Sequence, residues 1–225
     1  MPGAAPLFGR LKDAAGETWS AFVAHPFVRS LADGSLPEAA FRHYLIQDYL
    51  FLIHFARAYG LAAFKADTLE DIRHAAAGLG AMVGQEMALH VGYCRSWGLD
   101  EAQMAAAEEA DATMAYTRYV LERGLAGDLL DLAVALAPCI VGYAEIGRQL
   151  AADPATKRDG NPYTAWIETY AGDDYQAVAR DHIAHMDRLM ARRGSPERLP
   201  ALKVTFRQAT RLEAAFWQMG LDAAS

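Results

Sequence analysis

Apolar residues recur at spacings of three and four along almost every segment of this chain, and strand-like alternation bounded by turn signals is nearly absent. A period of 3.6 residues gathers such positions on one helix face, so the pattern reads as all-α. It predicts helices over 7–24, 37–66, 69–97, 101–123, 128–151, 162–170, 174–193 and 200–220. The breaks between them have chemical causes. They are His25-Pro26, DGSLP (33–37), ADT (66–68), WGLD (97–100), GLAGD (124–128), the loop ADPATKRDGNP (152–162), AGDD (171–174) and RRGSPERLP (192–200). No repeat of fixed period and no low-complexity linker interrupts the series, so one helical bundle domain is expected over 1–225. Gly78, Gly80, Gly84 and Gly92 all fall in the predicted helix 69–97. Each costs about 1 kcal/mol relative to alanine in a helix interior, so close helix contacts are expected at these positions.

Composition narrows the partners. The 225 residues are 53% hydrophobic, enough for a sizeable core. A formal net charge of −7 and no Lys/Arg run longer than two speak against nucleic-acid or anionic-membrane surfaces. The first residues, MPGAAPLFGRLKDAAGETW, lack a long apolar secretory region, and no run approaches about 18 uninterrupted apolar residues. A cytoplasmic protein acting on a small molecule is the expectation. Cys94 and Cys139 match no zinc spacing and are expected as free thiols.

The stretch AVALAPCIVGYAEI (133–146) sets a proline inside an apolar helical pattern, directly before Cys139. An interior proline costs about 3 kcal/mol. Leu136, Cys139, Ile140, Tyr143 and Ile146 share one helix face, so Cys139 points inward with a phenol one turn on. A buried cysteine is ordinarily a small apolar filler. If the helix restarts with Pro138 at its first position, however, Cys139 lies in a first turn, where free N–H groups and the dipole favour a thiolate. Cys94 has no such feature and reads as core.

In YLIQDYLFLIHF (44–55), Tyr44, Asp48, Phe51 and Phe55 follow one helical stripe. A lone aspartate there is either solvated at the edge of the stripe or an acceptor among stacking rings, a pocket suited to a flat heterocycle with an amino group. In RLEAAFWQMG, Glu213 precedes Phe216 and Trp217 by one turn. It is either exposed beside Arg211 or a carboxyl kept protonated by burial. AYTRYV (115–120) and NPYTAWIETY (161–170) add Tyr116, Tyr119, Tyr163, Trp166 and Tyr170. A thiol, two carboxyls and several phenols together suit nucleophilic catalysis assisted by general acids and bases.

These segments, with HPFVRSLADGSLPEAAFRHYLIQDYLFL, GQEMALHVGYCRSWG, APCIVGY and the closing EAAFW, resemble the TenA family, also called thiaminase II or aminopyrimidine aminohydrolase, over about residues 15–220. The resemblance implies a heme-oxygenase-like fold, a homotetramer and thiamin salvage without a cofactor or metal. It further implies hydrolysis of 4-amino-5-aminomethyl-2-methylpyrimidine to the hydroxymethyl compound and ammonia, and in many members cleavage of thiamin. By motif, Cys139 is the nucleophile that adds to the ring, Asp48 holds the amino-amidine edge and Glu213 protonates a ring nitrogen. Tyr143 and Tyr116 surround the nucleophile, while Phe51 and Tyr170 flank the ring, with Tyr44 in the same stripe. Tyr163 is the alternative to Tyr170 as the stacking residue, because the preceding loop varies in length. Phe51 stands where many members carry tyrosine, so a hydroxyl role there is absent.

Two further readings remain open. The same fold houses diiron oxidases, and Glu86 with His90, and Asp181 with His185 (His182 adjacent), have the i, i+4 spacing of such ligands. The other is a non-catalytic helical regulator or scaffold, which no basic helix-turn-helix supports.

Overall fold

A computed structural model describes residues 6–224, apart from the side chains of Gln85, Glu86 and Leu89. The described residues form helices and no strand. They divide into two compact units, each drawn from separated stretches: Met1–Leu36 with Ala133–Ala214, and Pro37–Leu132 with Ala215–Ser225.

The first unit holds α1 (Leu7–Ala15), α2 (Glu17–Val23) and α3 (Pro26–Asp33). Most of the long α9 (Leu129–Ala152), then α10 (Thr164–Ala171), α11 (Asp173–Arg193) and α12 (Leu199–Asp222) as far as Ala214 complete it. The helix expected over 7–24 is two, because Gly16 adopts φ 47°, a backbone state that interrupts a helix and suits glycine. Pro26 proves to be a start where the sequence reading had only a break. It opens α3 at the first helical position, with the His25 ring accepting a hydrogen bond from the Phe27 N–H at 3.2 Å. An 18-residue window of α9 reaches a mean hydropathy of 1.8 and is 89% buried in the protein, so its apolar length serves the core. Against it the Trp19 indole and Lys12 ammonium both donate to Glu145, and Trp19 stacks on Phe206 at 5.5 Å.

The second unit is built on α4 (Glu38–Lys65), with α5 (Leu69–Ala81), a π turn (Met82–Glu86), α6 (Met87–Ser96), α7 (Glu101–Ala105) and α8 (Asp111–Ala126). The helix expected over 101–123 is interrupted because Gln47 reaches the intervening loop. Its amide donates to the Glu108 carbonyl, and its oxygen accepts from the Ala110 N–H and the Thr113 hydroxyl. The four-glycine expectation holds at one position only. A Cβ on Gly78 would lie 2.1 Å from the Tyr59 ring, whereas Gly80, Gly84 and Gly92 face open space.

The π turn sets the register of α6. Counted at about 100° per residue from Gly78, which faces α4, an unbroken α-helix would carry residue 90 about 120° off that face. One extra residue in the π turn takes back about 100° and returns His90 to α4.

Candidate functional site

All nine residues expected at the site are buried, between 0% and 7% exposed, and they fall into two groups. In the second unit Asp48 sits on α4, as the stripe predicted, but it is not at a solvated edge. Its Oδ2 accepts two hydrogen bonds, from the Tyr44 hydroxyl one turn earlier (3.0 Å) and from His90 Nε2 on α6 (2.6 Å). The His90 side chain is 0% exposed and that of Asp48 7%. Among the described residues Oδ1 of Asp48 takes part in no hydrogen bond. Tyr44 therefore acts here as a partner of Asp48 as well as a ring in the stripe.

Rings enclose this carboxylate's helix face. Phe51 lies 5.0 Å from both Phe55 and Tyr116 and 5.6 Å from Phe216. Tyr44 packs on Trp217 at 5.1 Å and edge-on to Phe216. Burial of these rings supplies the apolar surroundings in which a single acceptor becomes selective.

In the first unit Cys139 and Tyr143 occupy one face of α9, one turn apart. The restart of the helix at Pro138 does not occur: α9 runs through it without interruption, so Cys139 lies in a helix interior and gains no first-turn N–H groups. Pro138 offers no N–H to the Val134 carbonyl, and just before it the Ala133 carbonyl accepts from His182 Nε2 at 2.9 Å.

Two glycines let neighbours close on the same helix. A Cβ on Gly142 would lie 2.2 Å from the Phe22 ring, and one on Gly147 would lie 2.5 Å from the Tyr170 carbonyl carbon. Tyr143 consequently meets Tyr170 at 5.0 Å and Trp166 at 5.9 Å. Tyr163 is used differently. It caps α10, and its hydroxyl donates to the Leu36 carbonyl, tying down the loop after α3. Glu213 is 1% exposed on α12, which removes the exposed alternative. Cys94, 0% exposed, has its thiol pushed up to about 11 by burial, with Arg42 opposing, and is the inert core residue expected.

His90 as a partner of Asp48 is the feature the sequence did not reveal, since spacing paired it with Glu86. The Glu86 side chain lies outside the described residues, Asp181 is exposed, and His185 is buried on α11. Among the described residues no group of three or more His, Cys, Asp or Glu side chains is arranged to hold a metal ion.

Known proteins place the chain. An aminopyrimidine aminohydrolase from Halalkalibacterium halodurans is 36% identical over 212 residues, 94% of each chain. The crystal structure of a TenA family transcription regulator from a Silicibacter species is 45% identical, covers 96% of each chain and superimposes with a TM-score of 0.90. A domain with a heme oxygenase-like fold from Shewanella denitrificans, 14% identical over 96% of this chain and 92% of its own, reaches a TM-score of 0.73 and speaks for the fold alone. The model of the TENA/THI-4/PQQC family matches residues 12–223, and with nearly its whole length so matched the chain belongs to that family.

Proposed function

We propose that this protein is a C–N hydrolase of thiamin salvage that acts on a 4-amino-2-methylpyrimidine carrying an amine on its 5-methylene. The observation that carries the reading is the close relative named aminopyrimidine aminohydrolase, similar from end to end, together with the placement of Cys139 and Asp48 on buried helix faces lined by aromatic rings. The Cys139 thiolate adds to a ring carbon as Glu213 gives a proton to a ring nitrogen. Ring electrons then expel the protonated amine as ammonia, leaving an exocyclic methylene. Water adds to that carbon and gives up a proton, which the released ammonia takes up, and the thiolate departs as the ring-nitrogen proton returns to Glu213. Asp48 accepts from the 4-amino group, Tyr143 and Tyr116 hydrogen-bond around the nucleophile, and Phe51 and Tyr170 flank the ring. Tyr170 is the stacking residue in this reading because its ring lies 5.0 Å from that of Tyr143, one turn from Cys139, whereas Tyr163 is tied to the loop after α3.

A homotetramer in a reducing cytoplasm belongs to the same reading. Phe64 and Leu125, 86% and 67% exposed, lie at one end of the second unit, where Lys65 donates to the Leu125 carbonyl. Covering them with a second copy would bury apolar surface. Light scattering reads the mass.

The test is to incubate the protein with 4-amino-5-aminomethyl-2-methylpyrimidine and, separately, with thiamin, and to follow ammonia, hydroxymethylpyrimidine and thiazole. Ammonia and hydroxymethylpyrimidine in equal amounts support the reading, and thiazole release adds thiaminase activity. No product from either substrate removes it. An EDTA arm separates the diiron reading: loss of activity restored by Fe²⁺ would bring Glu86, His90, Asp181 and His185 forward instead. The similar Silicibacter protein is titled a transcription regulator, but the net charge of −7 here weighs against a nucleic-acid partner.

A further inference from the structure

We propose that His90 is a positioning residue for substrate recognition: it fixes the Asp48 carboxylate so that Oδ1 is presented to the 4-amino group of the pyrimidine. The inference rests on the reading above. Three observations lead to it. First, the Asp48–His90 pair is nearly fully buried, and removing a carboxylate from water is costly unless its lone pairs are met. A carboxylate has about four acceptor sites. A purely structural aspartate this deep would be expected to fill sites on both oxygens. Here both bonds converge on Oδ2, and Oδ1 has none among the described residues.

Second, the two bonds do different things. Tyr44 lies on the same helix as Asp48, so its 3.0 Å bond adds no constraint from another element. His90 comes from α6 with a 2.6 Å bond, and it is the group that fixes the carboxylate's rotation from outside α4. Facing a carboxylate, Nε2 must be the donating nitrogen, which sets the imidazole N–H toward Asp48.

Third, the register that delivers His90 is itself unusual. It depends on the π turn Met82–Glu86, a departure from α geometry of the kind found often at functional sites. The ligand class follows from the acceptor. A fixed, ring-flanked carboxylate oxygen accepts from an amino group and repels a carbonyl, so the device selects 4-aminopyrimidines over 4-oxopyrimidines.

The experiment compares wild type with His90→Leu, His90→Gln and His90→Asn. It measures kcat and KM for the aminomethylpyrimidine and for its 4-oxo analogue, with thermal unfolding and the rate of Cys139 alkylation by iodoacetamide alongside. Gln can set an amide N–H near the position of Nε2, while Asn is too short. The expected result is a fall of about 10- to 100-fold in kcat/KM for His90→Leu, mainly in KM. Discrimination against the 4-oxo analogue should narrow, with Cys139 alkylation unchanged. His90→Gln should recover most of both, and His90→Asn should not. If His90→Leu fails to fold, the Gln and Asn variants decide. Equal discrimination in wild type, Gln and Asn forms overturns the proposal, as does an activity loss that tracks unfolding alone with discrimination intact. Wild type is assayed first. If it turns over neither pyrimidine, the functional reading falls and this inference with it, an outcome distinct from normal wild-type turnover with indifferent His90 variants.

Discussion

Replacing Gly147 with alanine tests how the Tyr143–Tyr170 face is built. The new Cβ would stand 2.5 Å from the Tyr170 carbonyl carbon, 2.6 Å from the Ala171 nitrogen and 2.7 Å from Tyr170 Cβ. Two of these atoms are backbone, so no rotamer change relieves them. Ordinary contact begins at 3.4 Å, and the end of α10 must therefore retreat by about 0.9 Å. Gln176 resists that movement, because its amide donates at 2.8 Å to both the Ala144 and Tyr170 carbonyls and ties α10 to α9. Overpacking of this kind costs about 1–3 kcal/mol, against a gain of about 1 kcal/mol from alanine in a helix interior. The net loss is up to about 2 kcal/mol, a fall of up to about 8 °C in Tm for a chain of this size. A misplacement near 1 Å also lowers turnover by as much as about 10²-fold if Tyr170 flanks the substrate. Thermal unfolding followed by circular dichroism, with ammonia release on the same samples, measures both. A Tm at or above wild type with an unchanged rate would refute the reasoning.

Within α5 the same logic gives opposite signs two residues apart: Gly78→Ala should destabilise by driving into the Tyr59 ring, and Gly80→Ala, facing open space, should stabilise by up to about 1 kcal/mol, read by urea unfolding. The His25 ring can accept from the Phe27 N–H only while neutral, and burial first, Arg29 second, holds its folded pKa below 6.5. The unfolded chain then takes up the proton first, so this group's contribution is lost as pH falls through 6.5 toward the folded value. A serine at position 25 keeps an acceptor at every pH. His25→Ser should therefore lose less stability than wild type between pH 7 and 5, by about 1 kcal/mol. With its thiol pushed from 9.0 to about 11 by burial, Cys94 should alkylate roughly 100-fold more slowly than an unperturbed thiol at neutral pH, by peptide mapping after iodoacetamide.

The helical period made the fold class legible, and Pro and Gly marked most boundaries within a few residues. What it missed came from tertiary partners. Gln47 ends α7 early by claiming Glu108 and Ala110, a contact 61 residues distant in sequence that no local pattern announces. Pro26 is punctuation that can open or close a helix, and only the His25 cap shows which. At the site, stripes on α4 and α9 placed Phe51, Cys139 and Tyr143 inward because burial follows periodicity, whereas for Asp48 the stripe left a solvated edge and an inward acceptor both open. His90 escaped because a π turn shifts the register by one residue, and a count at 3.6 residues per turn then points to the wrong face. The restart expected at Pro138 does not occur, and α9 continues through the proline from Leu129 to Ala152.

The central claim is that Cys139 attacks the pyrimidine. Its most direct measurement is the turnover of Cys139→Ser beside its affinity for the hydroxymethylpyrimidine product by calorimetry. Sulfur to oxygen preserves shape at a buried position but gives a far weaker nucleophile. Product binding should stay within a few-fold of wild type while kcat falls by about 10³-fold or more. Turnover near the wild-type rate in a folded, product-binding Cys139→Ser protein would contradict it.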